Sequence, residues 1–130
     1  MATEQTNVEV TDEFRAWWDG LDIRDQRAVA KVVDALVRRG ARLRFPYSSG
    51  IKGSRHGHLR ELRVPGRPPI RVFYAFDPYR TAVLLIAGHK TDSERFYREY
   101  VPRADAIYDE YLREIEQERH HGIPRGGRAR

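Results

Sequence analysis

Apolar residues recur at helical spacing twice near the start of the chain. Phe14, Trp17, Trp18 and Leu21 fall at i, i+3, i+4 and i+7, one face of a helix. Thr11 ahead of them can serve as N-cap, and Asp12 and Glu13 place acids in a first turn whose free N–H groups attract negative charge. Gly20 ends that run and Asp22 offers the next cap. Val29, Val32, Val33 and Leu36 repeat the spacing, and Arg38, Arg39 and Gly40 supply a basic last turn and a glycine stop. The pattern predicts a helical hairpin, preceded by a short strand at Asn7–Val10.

Arg42–Gly57 carries Pro46, Gly50, Gly53 and Gly57 and reads as a loop. Three strand-like runs follow. Leu59–Val64 is the first, and Pro65-Gly66-Arg67-Pro68-Pro69 turns the chain. Ile70–Phe76 is the second, with Ile70, Val72, Tyr74 and Phe76 on one face and Arg71 on the other. Asp77-Pro78-Tyr79-Arg80 makes a tight turn into Thr81–Gly88, which is apolar on both faces, as a central strand covered by helices must be. Thr91-x-x-Glu94 matches a capping box and opens a further helix, which Pro102 is expected to interrupt or kink. Tyr108, Tyr111, Leu112 and Ile115 form one more amphipathic face, and Arg119–Arg130, with its Gly and Pro, reads as a disordered basic tail. No internal repeat is present. The order is β-α-α-β-β-β-α. It implies one α+β domain over residues 1–118, with a twisted, mainly antiparallel sheet covered by helices and a C-terminal helical extension.

Composition narrows the possibilities. The 130 residues suffice for one modest core. Cysteine is absent, which excludes disulfides, thiolate metal sites and a Cys nucleophile. The polar N-terminal residues lack the apolar segment of a signal peptide. The apolar run Ala82–Ala87 is far short of the ~20 residues of a membrane span. These features predict a cytoplasmic protein that makes no membrane contact.

Charge is the most uneven property of the chain. Ala41–Arg71 holds eight Lys/Arg (Arg42, Arg44, Lys52, Arg55, Arg60, Arg63, Arg67 and Arg71) against one acid, Glu61. The remainder holds 16 basic and 18 acidic residues, so the whole positive excess lies in this window. His56 and His58 lie inside it. A concentrated positive field favours a polyanion, and nucleic acid is the usual soluble one.

Several strings carry a further signal. Lys52-Gly53-Ser54-Arg55-His56-Gly57-His58-Leu59-Arg60-Glu61-Leu62-Arg63 resembles the KG…LWELR segment of Gp49-like, HigB-type toxins of the RelE/ParE superfamily. Arg71-Val72-Phe73-Tyr74 matches their RVFY strand, and Leu84–Lys90 resembles their last strand with its glycine-lysine exit. The resemblance spans roughly Thr11 to Val101. It implies a type II toxin that cleaves mRNA on the ribosome, needs no cofactor or metal, and is neutralised by a cognate antitoxin, usually a helix-turn-helix protein. By position it assigns Arg71, Lys90 and Tyr97 to the catalytic face, with Phe96 competing for the aromatic position. The chain departs from the family in having His89-Lys90-Thr91-Asp92 where a Lys-rich segment is usual.

The chemistry implied is transesterification. The 2′-hydroxyl attacks the adjacent phosphate, a base takes its proton, an acid protonates the leaving 5′-oxygen, and cations hold the added negative charge. Arg suits the last task through its bidentate fork, and His the proton transfers. The candidate catalytic residues are therefore Arg71, His89, Lys90 and Tyr97, and the candidate RNA contacts are Lys52, Arg55, His56, His58, Arg60 and Arg63. Each has a plainer alternative. Arg71 could be an ordinary solvent-facing strand residue, His89 a packing or capping group, Glu61 a salt-bridge partner, and Phe96, Tyr97 and Tyr100 core residues. Arg60 and Arg63 have opposite strand parity, so one of them faces away from any site. A gyrase inhibitor of the ParE kind and a noncatalytic nucleic-acid-binding domain fit the same charge window.

Overall fold

The computed structural model describes residues 5–120; residues 121–130, most of the expected tail, lie outside it. Five strands form one sheet in the order β1-β5-β4-β3-β2. They are β1 (Val8–Val10), β2 (Ser48–Gly50), β3 (Arg60–Val64), β4 (Ile70–Phe76) and β5 (Ala82–His89). β1 runs parallel to β5, and the other pairings are antiparallel. Helices α1 (Asp12–Asp19) and α2 (Ile23–Arg39) cover one face, and α3 (Ser93–His120) covers the other.

The first two of the three predicted caps are present. The Thr11 hydroxyl accepts from Phe14 N at 3.0 Å and donates to Leu85 O at 2.7 Å, so one side chain both starts α1 and ties it to the sheet. Asp22 accepts from Asp25 N at 2.9 Å. The cap of α3 sits one residue later than the Thr91 box predicts. Asp92 accepts from Arg95 N at 3.0 Å, and a carboxylate at that place serves the helix N-terminus better than a hydroxyl. Pro102 does not interrupt α3, which remains one helix of 28 residues. Its apolar face is anchored on both sides of the proline, by Phe96 and Val101 before it and Ala104, Tyr108, Tyr111 and Ile115 after it, all buried against the sheet. That burial offsets the missing N–H.

The loop expected over Arg42–Gly57 contains the strand β2. Its sequence, Ser-Ser-Gly, has no apolar alternation. It is held instead by pairing with β3 and by Ser48, whose buried hydroxyl lies 2.6 Å from the Tyr74 hydroxyl and accepts from Arg60 Nε at 3.0 Å. Such bonds contribute about 1 kcal/mol each and avoid a larger cost of leaving Tyr74 OH buried and unpaired.

The feature that most affects the site is a bulge in β5. Phe73 pairs with Ile86 but Tyr74 pairs with Leu84, which leaves Leu85 as the extra residue. Leu85 and Ile86 accordingly both pack on the α3 side, whereas Leu84 and Ala87 pack on the α1–α2 side. The side-chain alternation thus reverses before the strand ends. Gly88 turns toward α3, where a Cβ would stand 2.7 Å from the Tyr100 ring, so a larger residue would have to displace that ring. His89 turns the other way.

Candidate functional site

β3 and β4 pair Arg63 with Arg71 and Glu61 with Phe73, so Glu61, Arg63 and Arg71 share the face toward α3. Glu61 is the hub. Its side chain is buried, and one carboxylate oxygen accepts from Arg63 Nη1 at 3.0 Å and from Ser49 Oγ at 2.9 Å. The same oxygen lies 3.8 Å from Arg71 Nε. The other oxygen accepts from the Tyr97 hydroxyl at 2.6 Å. Arg71 is only 5% exposed, not solvent-facing; one guanidinium nitrogen donates to Ile70 O, while Nε makes no hydrogen bond among the described residues. Lys90, at the exit of β5, places its ammonium 5.8 Å from the Tyr97 ring centre.

Three cations thus surround one buried carboxylate and one phenol. Burial pushes the Lys90 pKa down from its ordinary 10.5, and the Arg71 charge pushes it further. Burial and the bond to Glu61 push Tyr97 above its ordinary 10, with Arg71 opposing. Lys90 is therefore a readier proton donor than a free lysine, and Tyr97 holds its proton. Two members of the cluster, Arg63 and Arg71, also line a cleft of about 290 Å³ whose other walls are Phe45, Pro46, Pro65, Gly66 and Pro69.

The other predicted residues lie elsewhere. Arg60 is on the opposite face, bonded to Ser48. His89 is there too, because of the bulge; its Nε2 lies 3.1 Å from Asp25 Oδ2 on α2, and its ring packs 6.5 Å from that of Trp17. The loop residues form a separate clasp on α3. Ser54 Oγ and Arg55 N donate to the Asp105 carboxylate at 2.5 and 3.0 Å. Arg55 Nη2 donates to Asp109 at 2.5 Å, and His56 Nε2 lies 2.7 Å from the same carboxylate. His58 Nε2 lies 3.2 Å from the Tyr108 hydroxyl, which itself donates to Phe76 O. Lys52 is exposed at the base of this loop. Asp105 and Asp109, one helical turn apart, were the signal for this clasp, since i, i+4 acids on a helix can face a basic loop. Among the described residues no group of three His, Asp or Glu side chains is placed to hold a metal ion, and no helix is long and apolar enough to cross a membrane.

Comparison with known proteins gives a consistent result. Residues 16–109 match the family model described as phage derived protein Gp49-like. A Mycobacterium tuberculosis protein carrying the name toxin HigB2 is 34% identical over 108 residues, which is 81% of this chain and 54% of that protein. The chain therefore spans about half the length of that relative. Another from the same organism, carrying the name toxin HigB3, is 32% identical over 101 residues, covering 77% of this chain and 88% of that one. In structure, a chain of the M. tuberculosis toxin–antitoxin complex RelBE2 superposes with a TM-score of 0.53 at 20% identity, covering 66% of this chain and 99% of that one. This last likeness concerns the fold alone.

Proposed function

The chain belongs to the Gp49-like family and has the RelE-type toxin fold, and from that premise we propose that it is the toxin of a toxin–antitoxin pair, a cytoplasmic, metal-independent endoribonuclease acting on mRNA held by the ribosome. One observation carries the reading: Arg63, Arg71, Lys90 and Tyr97 converge around the Glu61 carboxylate on a single face of the sheet.

In this proposal a phosphate enters the cleft and draws the Arg71 and Arg63 guanidinium groups from Glu61. Their forks hold the two non-bridging oxygens. Their departure frees the Glu61 oxygen that Arg63 occupied, while the other oxygen keeps its bond to Tyr97. The substrate 2′-hydroxyl passes its proton to the Tyr97 oxygen as the Tyr97 proton moves to Glu61. The 2′-oxygen attacks phosphorus, the bond to the 5′-oxygen breaks, and Lys90 protonates that leaving oxygen. The products are a 2′,3′-cyclic phosphate and a 5′-hydroxyl. His89 takes no part, because it faces α2. The partner proposed is a cognate antitoxin of the helix-turn-helix kind; the toxin–antitoxin composition of the RelBE2 structure supports an antitoxin of some kind.

Primer extension on cellular mRNA after brief induction tests this reading. Growth arrest with discrete cuts is expected. Arrest with intact mRNA and damaged DNA would replace it with inhibition of gyrase.

A further inference from the structure

Phe45 is the most exposed large apolar side chain among the described residues, at 70%. It lines the same cleft as Arg63 and Arg71. The Arg63 guanidinium lies over its ring, 5.1 Å from the centre, and the same Arg63 donates to Glu61, whose other oxygen holds Tyr97. Phe45 is thus linked through a single arginine to the cation cluster, yet most of its ring meets solvent. Exposed Phe surface costs free energy unless something covers it, and it does nothing for phosphate. A flat apolar ring beside phosphate-binding arginines is what a nucleobase needs, since single strands are held by cations along the backbone and aromatic faces under the bases. The cleft's proline walls, Pro46, Pro65 and Pro69, present apolar surface with no N–H of their own, suited to the face of a base rather than to a second phosphate.

Resting on the ribonuclease reading above, we propose that Phe45 is a base-stacking residue, which seats one nucleobase of the RNA in the cleft next to the phosphate held by Arg71 and so sets where the chain is cut. Arg63 serves both parts of this subsite, one face toward the ring and its donors, once drawn from Glu61, toward the phosphate. The base and the phosphate are thereby positioned by residues in direct contact.

The test uses ribosomes programmed with an mRNA that carries 2-aminopurine at one position at a time and 2′-deoxy sugars to prevent cleavage, alongside the same message in all-RNA form. Wild type should change the 2-aminopurine emission at one position near the cut. Phe45→Ala should abolish that change and lower cleavage of the all-RNA message about tenfold or more, the size of one lost stacking contact, with its circular dichroism spectrum retained. Phe45→Trp should restore both. Tyr79→Ala, which removes an aromatic 49% exposed at the β4–β5 turn, is the control and should change neither. Equal emission and cleavage in wild type and a folded Phe45→Ala would overturn the proposal, as would no emission change at any position with wild type. A Phe45-dependent emission change with no cleavage by wild type would support the subsite while removing the nuclease reading.

Discussion

The basic window Ala41–Arg71 feeds two clusters that look alike in sequence and differ in charge balance. In the loop clasp, Arg55 and His56 meet Asp109, and Ser54 and the Arg55 amide meet Asp105, so two carboxylates of α3 answer the loop's charge. In the sheet cluster, Arg63, Arg71 and Lys90 share the single carboxylate of Glu61. The first is balanced and closes the fold by tying a glycine-rich loop to a helix some fifty residues away. The second retains an excess of positive charge beside an open cleft. A count of charges along the chain cannot distinguish them; the acids that α3 brings in decide which part of the window faces a ligand. Changes in the sheet cluster should therefore remove activity, and changes in the clasp should remove stability.

The largest effect is expected from Arg71→Ala. Loss of a phosphate contact that matters in the transition state costs about 3 kcal/mol, roughly a hundredfold in rate. Because Arg71 is buried beside Glu61, the melting temperature should fall as well, and single-turnover cleavage must be read on protein shown to be folded. Tyr97→Phe keeps the ring and removes the proton relay to Glu61. Cleavage should drop about tenfold to a hundredfold with little change in substrate binding; an unchanged rate would take Tyr97 out of the proton path.

Asp109→Ala is the opposite case. It should lower stability by about 1 kcal/mol, since the bonds it makes are partly solvated, and leave the rate per folded molecule unchanged. The pH dependence follows from the same contact. Arg55, then His56, hold the Asp109 carboxyl below its ordinary 3.8. A depressed carboxylate stabilises the fold fully above its unfolded pKa and less as pH falls through the folded one. Melting curves at pH 5 and pH 3 should show the wild type losing this part of its stability and Asp109→Ala having none of it to lose. The smallest effect concerns salt. Arg63→Ala should reduce the slope of log affinity against log salt by ~0.7, one phosphate contact on a single strand. Arg55→Ala should leave that slope in place, because its charge is already matched by Asp109.

Much of the fold can be read from local pattern. Thr11 and Asp22 announce their helices, Ile70–Phe76 alternates, and Ala82–Ala87 is apolar on both faces because helices lie on both sides. β2 is not legible, because Ser-Ser-Gly acquires its strand only from β3 and from the bond between Ser48 and Tyr74. Arg71 and Tyr97 both lie against Glu61, and Lys90 lies over the Tyr97 ring. His89 does not join them, and no sequence pattern could have told, since the bulge lies within Leu84-Leu85-Ile86-Ala87, where either parity buries an apolar side chain. Arg55, His56 and His58 read as free basic residues because their partners on α3 are remote in sequence.

The most direct test of the division is cleavage of ribosome-bound mRNA measured side by side for folded Arg71→Ala and Asp109→Ala, with each melting temperature recorded. If the division holds, Asp109→Ala melts lower and cuts at the wild-type rate and positions, whereas Arg71→Ala cuts about a hundredfold more slowly. Wild-type cleavage by Arg71→Ala together with lost cleavage by a folded Asp109→Ala would place the active surface on the loop and contradict it.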